Sequence, residues 1–324
     1  MDGKLQGSSE LHPGRIVEIV TFDFHVHIFR LPRFAENLQE LRKQSRLALR
    51  PVSWGFHRLQ TLMRILPDPI RKTVDEVGAL APIPMLMIES TARDLTEAMQ
   101  ENQVDHCLVI ATPPLVSNEY VLEVCSRNPK LIAAVNIPPG TPKPAQLLRK
   151  YVEKGARALK IHSAMDGGPI GAPRYLALLK AADELKLPVV LHTGCIQNHV
   201  LYKSPEAGLV ENFEPWFQKF PNLKFILAHM NYHQPDRAMD MAERYSNVYV
   251  DTSWQPSEVI GEAVRRLGAE RVLFATDWPF AGNNFSVGIN RVQACIEAGT
   301  LDQHQAAMIL GKNAMRILGL PHGD

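Results

Sequence analysis

The chain has 324 residues, 45% of them hydrophobic and 21% charged, the profile of a soluble globular protein. Its 35 basic and 34 acidic residues leave a formal charge of +1, which offers no field for nucleic acid or an anionic membrane. No run of about 18 apolar residues occurs, so no membrane span is expected. The four cysteines, Cys107, Cys125, Cys195 and Cys295, lack C-x-x-C spacing and suit a reduced, cytoplasmic protein without disulfides.

The N-terminal MDGKLQGSSELHPG is polar and has no apolar core of the kind a secretory signal needs. The first strand is predicted in IVEIVTFDFH (16–25). It leads into His25 and His27, whose i, i+2 spacing on extended backbone puts both imidazoles on one face. An interval of about 80 residues follows, far longer than an ordinary βα connection. It carries helical patterns at 33–50 and 53–66, a Pro-rich turn at 80–88, and a helix at 91–103 that belongs with the strands beyond it. A helical insert over about 30–90 is therefore expected. From Arg30 to Lys72 it is rich in arginine and poor in acids. It reads either as a solvated face or subunit contact, or as a lid that meets an anionic substrate. Trp54, Phe56 and Leu59 are expected on its surface, and a homodimer with them.

Seven further β-branched runs follow: DHCLVIAT (105–112), LIAAVNI (131–137), ARALKIH (156–162), PVVLHTG (188–194), KFILAHM (224–230), VYVDTS (248–253) and RVLFATD (271–277). Helical periodicity fills 144–156, 174–186 and 258–270 between them. Alternating strands and helices imply a parallel sheet, and eight units imply an α/β fold of the (β/α)8 TIM-barrel type, one barrel over residues 1–324. An open doubly wound sheet is the rival.

Polar groups gather where these strands end. The first gives His25 and His27, the fourth Lys160 and His162, the fifth His192, the sixth His229, the seventh Asp251 and the eighth Asp277. The carboxyl ends of barrel strands meet around one mouth, where active sites sit. Imidazole nitrogens and carboxylate oxygens are ligands for a borderline divalent cation such as zinc. Such an ion, with one position open, lowers the pKa of bound water toward about 7 and makes hydroxide at neutral pH. A single histidine at a strand end is ordinarily a hydrogen-bonded structural residue. The joint pattern points instead to His25 and His27 as metal ligands.

The segments DFHVHIF, VVLHTG, FILAHM and LFATDWPF resemble the amidohydrolase superfamily, and most of all its amidohydrolase-related branch. That branch includes aminocarboxymuconate semialdehyde decarboxylase and other non-oxidative decarboxylases. The resemblance runs from about Ile19 to Leu318, apart from the insert. It implies that His25, His27, His192 and Asp277 bind the metal. It implies that His229 either binds a second metal or acts as an acid/base on the catalytic water, and that Asp277 also takes a proton from that water. It further implies two roles for Lys160: a carbamylated bridge between two metals, or a substrate contact beside one. One zinc-like ion per chain is expected over two. His162 reads as a substrate contact rather than a ligand.

Loop residues add weaker candidates. His199, Tyr202 and Lys203 follow the fifth strand, and Asn231 and His233 follow the sixth. Asp251 is a candidate to orient a ligand histidine or to cap a helix. Trp254 is a candidate pocket wall. Asn283 and Asn284 would bind polar substrate atoms, unless they only form a turn. Cys195 has no paired base and is not expected to be a nucleophile. Hydrolysis of an amide, lactone or ester carbonyl of a small, carboxylated molecule by a metal-bound hydroxide is the leading expectation. Non-oxidative decarboxylation of a small carboxylic acid uses the same ligands and is the alternative. A non-catalytic ligand-binding barrel is a third.

Overall fold

The computed structural model describes residues 19–31, 38–78, 80, 86–167 and 173–321. Eight parallel strands pair in sequence order: β1 (Phe22–Val26), β2 (His106–Ile110), β3 (Leu131–Asn136), β4 (Ala156–Ile161), β5 (Val189–His192), β6 (Phe225–Ala228), β7 (Val248–Asp251) and β8 (Val272–Leu273). The last strand meets the first through Phe24 N–H to Phe274 O at 2.9 Å, Asp277 N–H to His25 O at 2.9 Å and His27 N–H to Trp278 O at 2.7 Å. These bonds close the sheet into a (β/α)8 barrel, so the open doubly wound alternative falls. Every predicted strand overlaps an observed one.

Among the described residues, four helices separate β1 from β2: α1 (Gln39–Ala48), α2 (Arg50–Met63), α3 (Asp68–Gly78) and α4 (Ala92–Glu101). The start of α4 is fixed by a capping box in which Thr91 and Asp94 satisfy each other's backbone N–H. The predicted Pro-rich turn at 80–88 lies largely outside the described residues, as do 16–18 of the first predicted strand and 33–37 of the first helical piece. The sequence pattern did not mark α3.

Strand residues alternate between two apolar clusters. One joins the strands to the surrounding helices, through residues such as Val109, Val135, Leu159, Leu191, Val250 and Phe274. The other takes residues from all eight strands, among them Leu108, Ala134, Ala158, Val190, Ile226 and Leu273, and fills the barrel interior. The inward parity carries on up each strand to the mouth. Ala158 is followed by Lys160 and His162, Val190 by His192, Tyr249 by Asp251, and Ala275 by Asp277.

β1 poses a parity conflict. Phe22 and Phe24 belong to the inner cluster, yet His25 and His27 have the opposite parity. The pairing register resolves it: Asp23 pairs with Cys107 but Val26 pairs with Val109, so β1 carries one extra residue there. Such a bulge re-aims the side chains beyond it. Val26 accordingly joins the outer cluster, and both histidines turn toward the barrel axis.

Three arginines of the insert are engaged in ion pairs. Arg42 pairs with Asp94, Arg46 lies 2.9 Å from Glu101 and 3.6 Å from Glu89, and Arg50 lies 3.8 Å from Glu101. These pairs hold the insert to α4 and to Glu89 just before it. Trp54 and Leu59 are exposed, but Phe56 is turned inward, its ring edge-on to Trp254 at 6.2 Å.

Candidate metal centre

Three donor atoms meet at the mouth. His25 Nε2 and His27 Nε2 are 3.2 Å apart, and Asp277 Oδ1 lies 3.5 Å from the first and 3.4 Å from the second. The far nitrogens of both rings are already engaged. His25 Nδ1 faces Asp251 Oδ2 at 3.1 Å, and His27 Nδ1 faces Ile110 O at 3.1 Å and Thr112 Oγ1 at 2.9 Å. Carboxylate and carbonyl oxygens only accept hydrogen bonds, so both Nδ1 atoms carry the proton. Both Nε2 atoms therefore present lone pairs to each other and to a carboxylate oxygen. Three acceptors this close repel unless a cation lies between them. The centre of such a triangle is about 2 Å from each corner, the length of a zinc–nitrogen bond.

His192 adds an orphan. Its Nε2 is buried without a hydrogen-bond partner, and its ring lies edge-on to His229 with centroids 5.0 Å apart. It is not one of the tight triangle. Burial holds His25, His192 and His229 well below the usual histidine range, with Lys160 and the neighbouring imidazoles adding to the effect. Neutral imidazole is the ligand form. Burial likewise works against charge on Asp277, but His25, His27 and the Trp254 N–H more than offset it and keep the carboxyl below its ordinary value. The donor set fits a divalent cation.

His25, His229 and Asp251 form a second three-donor group, but its carboxylate is committed. Asp251 Oδ2 takes His25 Nδ1. Its Oδ1 accepts from His229 N at 2.9 Å, from Ser253 N at 3.1 Å and from the Ser253 hydroxyl. Ser253 Oγ in turn lies 2.8 Å from His229 Nδ1 and, having given its own proton to Asp251, accepts there. A chain His229–Ser253–Asp251 thus fixes the Nδ1–H tautomer of His229 and leaves Nε2 as a base. Burial raises Asp251 to about 6, while its hydrogen bonds from Ser253 and His229 pull the other way.

His229 is aimed by an uncommon backbone. His229, Met230, Asn231 and Tyr232 all have positive φ, 65°, 43°, 61° and 54°. A bulky non-glycine residue there costs about 1 kcal/mol or more, Asn and His less, and four in a row survive only where their surroundings impose them. Gln255 Nε2 binds the carbonyls of His229 and Tyr232 at 2.7 and 2.9 Å, and Asn231 N–H donates to Thr193 Oγ1 at 3.0 Å. Gly194, with φ 102°, makes room, since a Cβ there would meet the Tyr232 ring at 2.8 Å.

Lys160 Nζ lies 3.3 Å from His25 Nε2, and burial brings it down to about 8, with Asp277 and Asp251 pulling it back up. His162 caps the helical turn Ser163–Asp166 through its ring nitrogen, 3.3 Å from Met165 N, and stacks on His192 at 3.8 Å. Tyr202 stacks on His162 at 5.5 Å, whereas His199 and Lys203 point to solvent. His233 faces the insert, 3.4 Å from Asp75 Oδ1. Asn283 occupies the turn before the helix Asn284–Glu297 with φ 50°, and Asn284 Nδ2 binds Thr276 O at 3.0 Å, in keeping with the turn reading of both. Cys195 is a free thiol that burial pushes up to about 11, unsuited to nucleophilic attack. Trp254 donates its indole N–H to Asp277 Oδ2 at 2.8 Å. Sequence reasoning missed Ser53, His57 and Asp75 of the insert. No motif marks them, and only their contacts across the mouth reveal them.

A parallel eight-stranded barrel with imidazoles and a carboxylate at the carboxyl ends of its strands defines a TIM-barrel enzyme of the metal-dependent kind. The chain matches the family model described as amidohydrolase over residues 22–320, and it belongs to that family. No curated protein sequence matches it. Among solved structures it is similar to 5-carboxyvanillate decarboxylase LigW from Sphingomonas paucimobilis, with TM-score 0.64 and 15% identity over 94% of this chain and 100% of that one. It is also similar to 4-oxalomesaconate hydratase LigJ from Rhodopseudomonas palustris, with TM-score 0.60 and 17% identity over 93% and 96%. A third is 5-carboxyvanillate decarboxylase from Novosphingobium aromaticivorans, complexed with manganese and 4-hydroxy-3-methoxy-5-nitrobenzoic acid, with TM-score 0.59 and 16% identity over 94% and 97%. Among the described residues, no helix is long and apolar enough to cross a membrane.

Proposed function

We propose that the chain is a hydrolase that opens an amide, lactone or ester carbonyl of a small carboxylated molecule. Residues 1–324 act as one cytoplasmic barrel with its insert over about 30–90, and a second copy of the chain is its expected partner. His25, His27 and Asp277 hold one divalent ion, zinc by donor type, with His192 as the fourth donor. The observation that carries this reading is the pair of facing Nε2 lone pairs 3.2 Å apart, both of whose protons are held on the far side.

When bound, the ion supplies Lewis acidity that polarises a carbonyl oxygen and makes water acidic near neutral pH. His229 takes a proton from water at Nε2 and returns it to the leaving group. Ser253 and Asp251 hold its tautomer through that cycle. Lys160 contacts substrate oxygen and carries no carbamate. Lys160→Ala should therefore keep its full metal content, about one ion per chain by elemental analysis of protein prepared with bicarbonate and without chelators. A fall from two ions to one would establish the bridged, binuclear site instead.

One observation favours the second reading, non-oxidative decarboxylation. The Trp254 N–H occupies Asp277 Oδ2, the oxygen that would otherwise take a proton from water. In that reaction the carbon–carboxylate bond breaks, carbon dioxide leaves, and His229 Nε2 relays a proton from water to the carbon, the hydroxide left behind being taken up by the carbon dioxide. The names of the two decarboxylase relatives and of the hydratase are compatible with a carboxylated substrate. A panel of carboxylated lactones, cyclic amides and aryl carboxylic acids separates the readings. Acid release from the carbonyl compounds is expected. Carbon dioxide release without it transfers the assignment to the second reading, and inertness of metal-loaded protein toward the whole panel removes both.

A further inference from the structure

We propose that Trp254 is a positioning residue that decides which oxygen of Asp277 faces the ligand triangle, and that His57 of the insert clamps Trp254 in place; the inference rests on the metal assignment above. Asp277 divides its carboxylate. Oδ1 lies 3.5 and 3.4 Å from the two Nε2 atoms, and Oδ2 accepts the indole N–H at 2.8 Å. A carboxylate held in this way offers one oxygen to an ion and not two.

The backbone shows that this contact is imposed. Trp254 and Asp277 both have left-handed conformations, with φ 65° and 60°. Aspartate reaches that region more readily than most residues, but a bulky indole disfavours it. Two left-handed positions, the strained one at Trp254, lie on the loops after β7 and β8 and converge on one hydrogen bond.

His57 supplies the wall behind the indole. Its ring stacks on Trp254 with centroids 5.2 Å apart and planes 25° apart. His57 is anchored in turn, because its Nε2 donates to Gly282 O at 3.1 Å and Ser53 Oγ donates to the same carbonyl at 2.6 Å. Gly282 lies on the loop that carries Asp277. The insert therefore bridges both loops, and the seating of α2 over the mouth and the orientation of the Asp277 carboxylate are one event.

Cobalt(II) titration with a competing chelator tests this, read by affinity and by the visible spectrum of the bound ion. Trp254→Phe keeps the ring and removes the donor. Its cobalt affinity should fall tenfold to about a hundredfold. Its spectrum should change, because a freed carboxylate can bind through both oxygens and raise the coordination number. His57→Ala keeps the indole and removes its wall, and should weaken cobalt binding about threefold or more. Affinity within twofold of wild type and an unchanged spectrum for Trp254→Phe, while Asp277→Ala fails to bind, would overturn the inference and leave the metal assignment standing. Wild-type binding by Asp277→Ala would overturn the assignment itself. Should Trp254→Phe not fold, His57→Ala decides alone: wild-type cobalt binding refutes the clamp and the proposal with it.

Discussion

Asp251→Asn is expected to lower turnover by about 10^3- to 10^4-fold and to weaken metal binding tenfold to about a hundredfold, in a protein that still folds. The argument is one of tautomers. Three donors converge on one side of the carboxylate: His229 N–H, Ser253 N–H and the Ser253 hydroxyl. An amide at this position must turn its oxygen toward them, because an NH2 group there would face three donors. Its NH2 then faces His25 Nδ1, which must accept rather than donate. The proton of His25 moves to Nε2, the atom that belongs to the ligand triangle, and the lone pair is lost. Folding should survive because the neutral amide is nearly isosteric with a carboxyl group that burial already pushes up to about 6. Elemental analysis after dialysis, with near-ultraviolet circular dichroism as the check on folding, measures the effect. A folded variant with full metal and normal turnover would sink the assignment of Asp251 as the hub between His25 and His229.

The barrel was legible because its signals are local. β-branched runs of period 2 alternate with helices of period 3.6, and polar residues stand at the strand ends. From these alone His25, His27, His192, His229, Asp251 and Asp277 are drawn to one mouth, where the structure brings them. What escaped depends on longer-range geometry. The bulge in β1 is invisible in FDFHVHIF, where Phe24 and His25 cannot both face inward on regular backbone. It exists because the pairing with β2 shifts by one residue. The left-handed run from His229 to Tyr232 has no glycine to announce it and is held by Gln255 and Thr193, residues distant in sequence. The double engagement of Asp251 was not readable either, since a carboxylate after a strand suits a helix cap equally well. The insert was read as basic, but three of its arginines, Arg42, Arg46 and Arg50, answer acids on α4 and near it that composition counting over Arg30 to Lys72 leaves out.

His229→Asn should cut kcat by about 10^2- to 10^4-fold while leaving the metal content unchanged. Asparagine is the right replacement, since it tolerates the left-handed backbone, φ 65°, that alanine would strain. The separation of effects follows from how the two rings are held. His25 and His27 turn their free nitrogens to each other and to Asp277. His229 stands beside them, its ring stacked on His25 with centroids 4.9 Å apart, and its Nδ1 proton is anchored by Ser253. Its remaining nitrogen serves proton transfer, so its loss removes chemistry and leaves binding. The pH profile tells the same story with a sign. Burial, with His25 and Lys160 beside it, keeps His229 well below the ordinary histidine range. A base must be unprotonated to act, so the wild-type kcat/KM should fall off only on the acid side of about 6.5, and that limb should vanish in the variant. Ser253→Ala, which frees the tautomer but keeps the ring, should fall between the two. Loss of half the metal from His229→Asn would place a second ion on His229, and the single-ion mechanism would have to be abandoned.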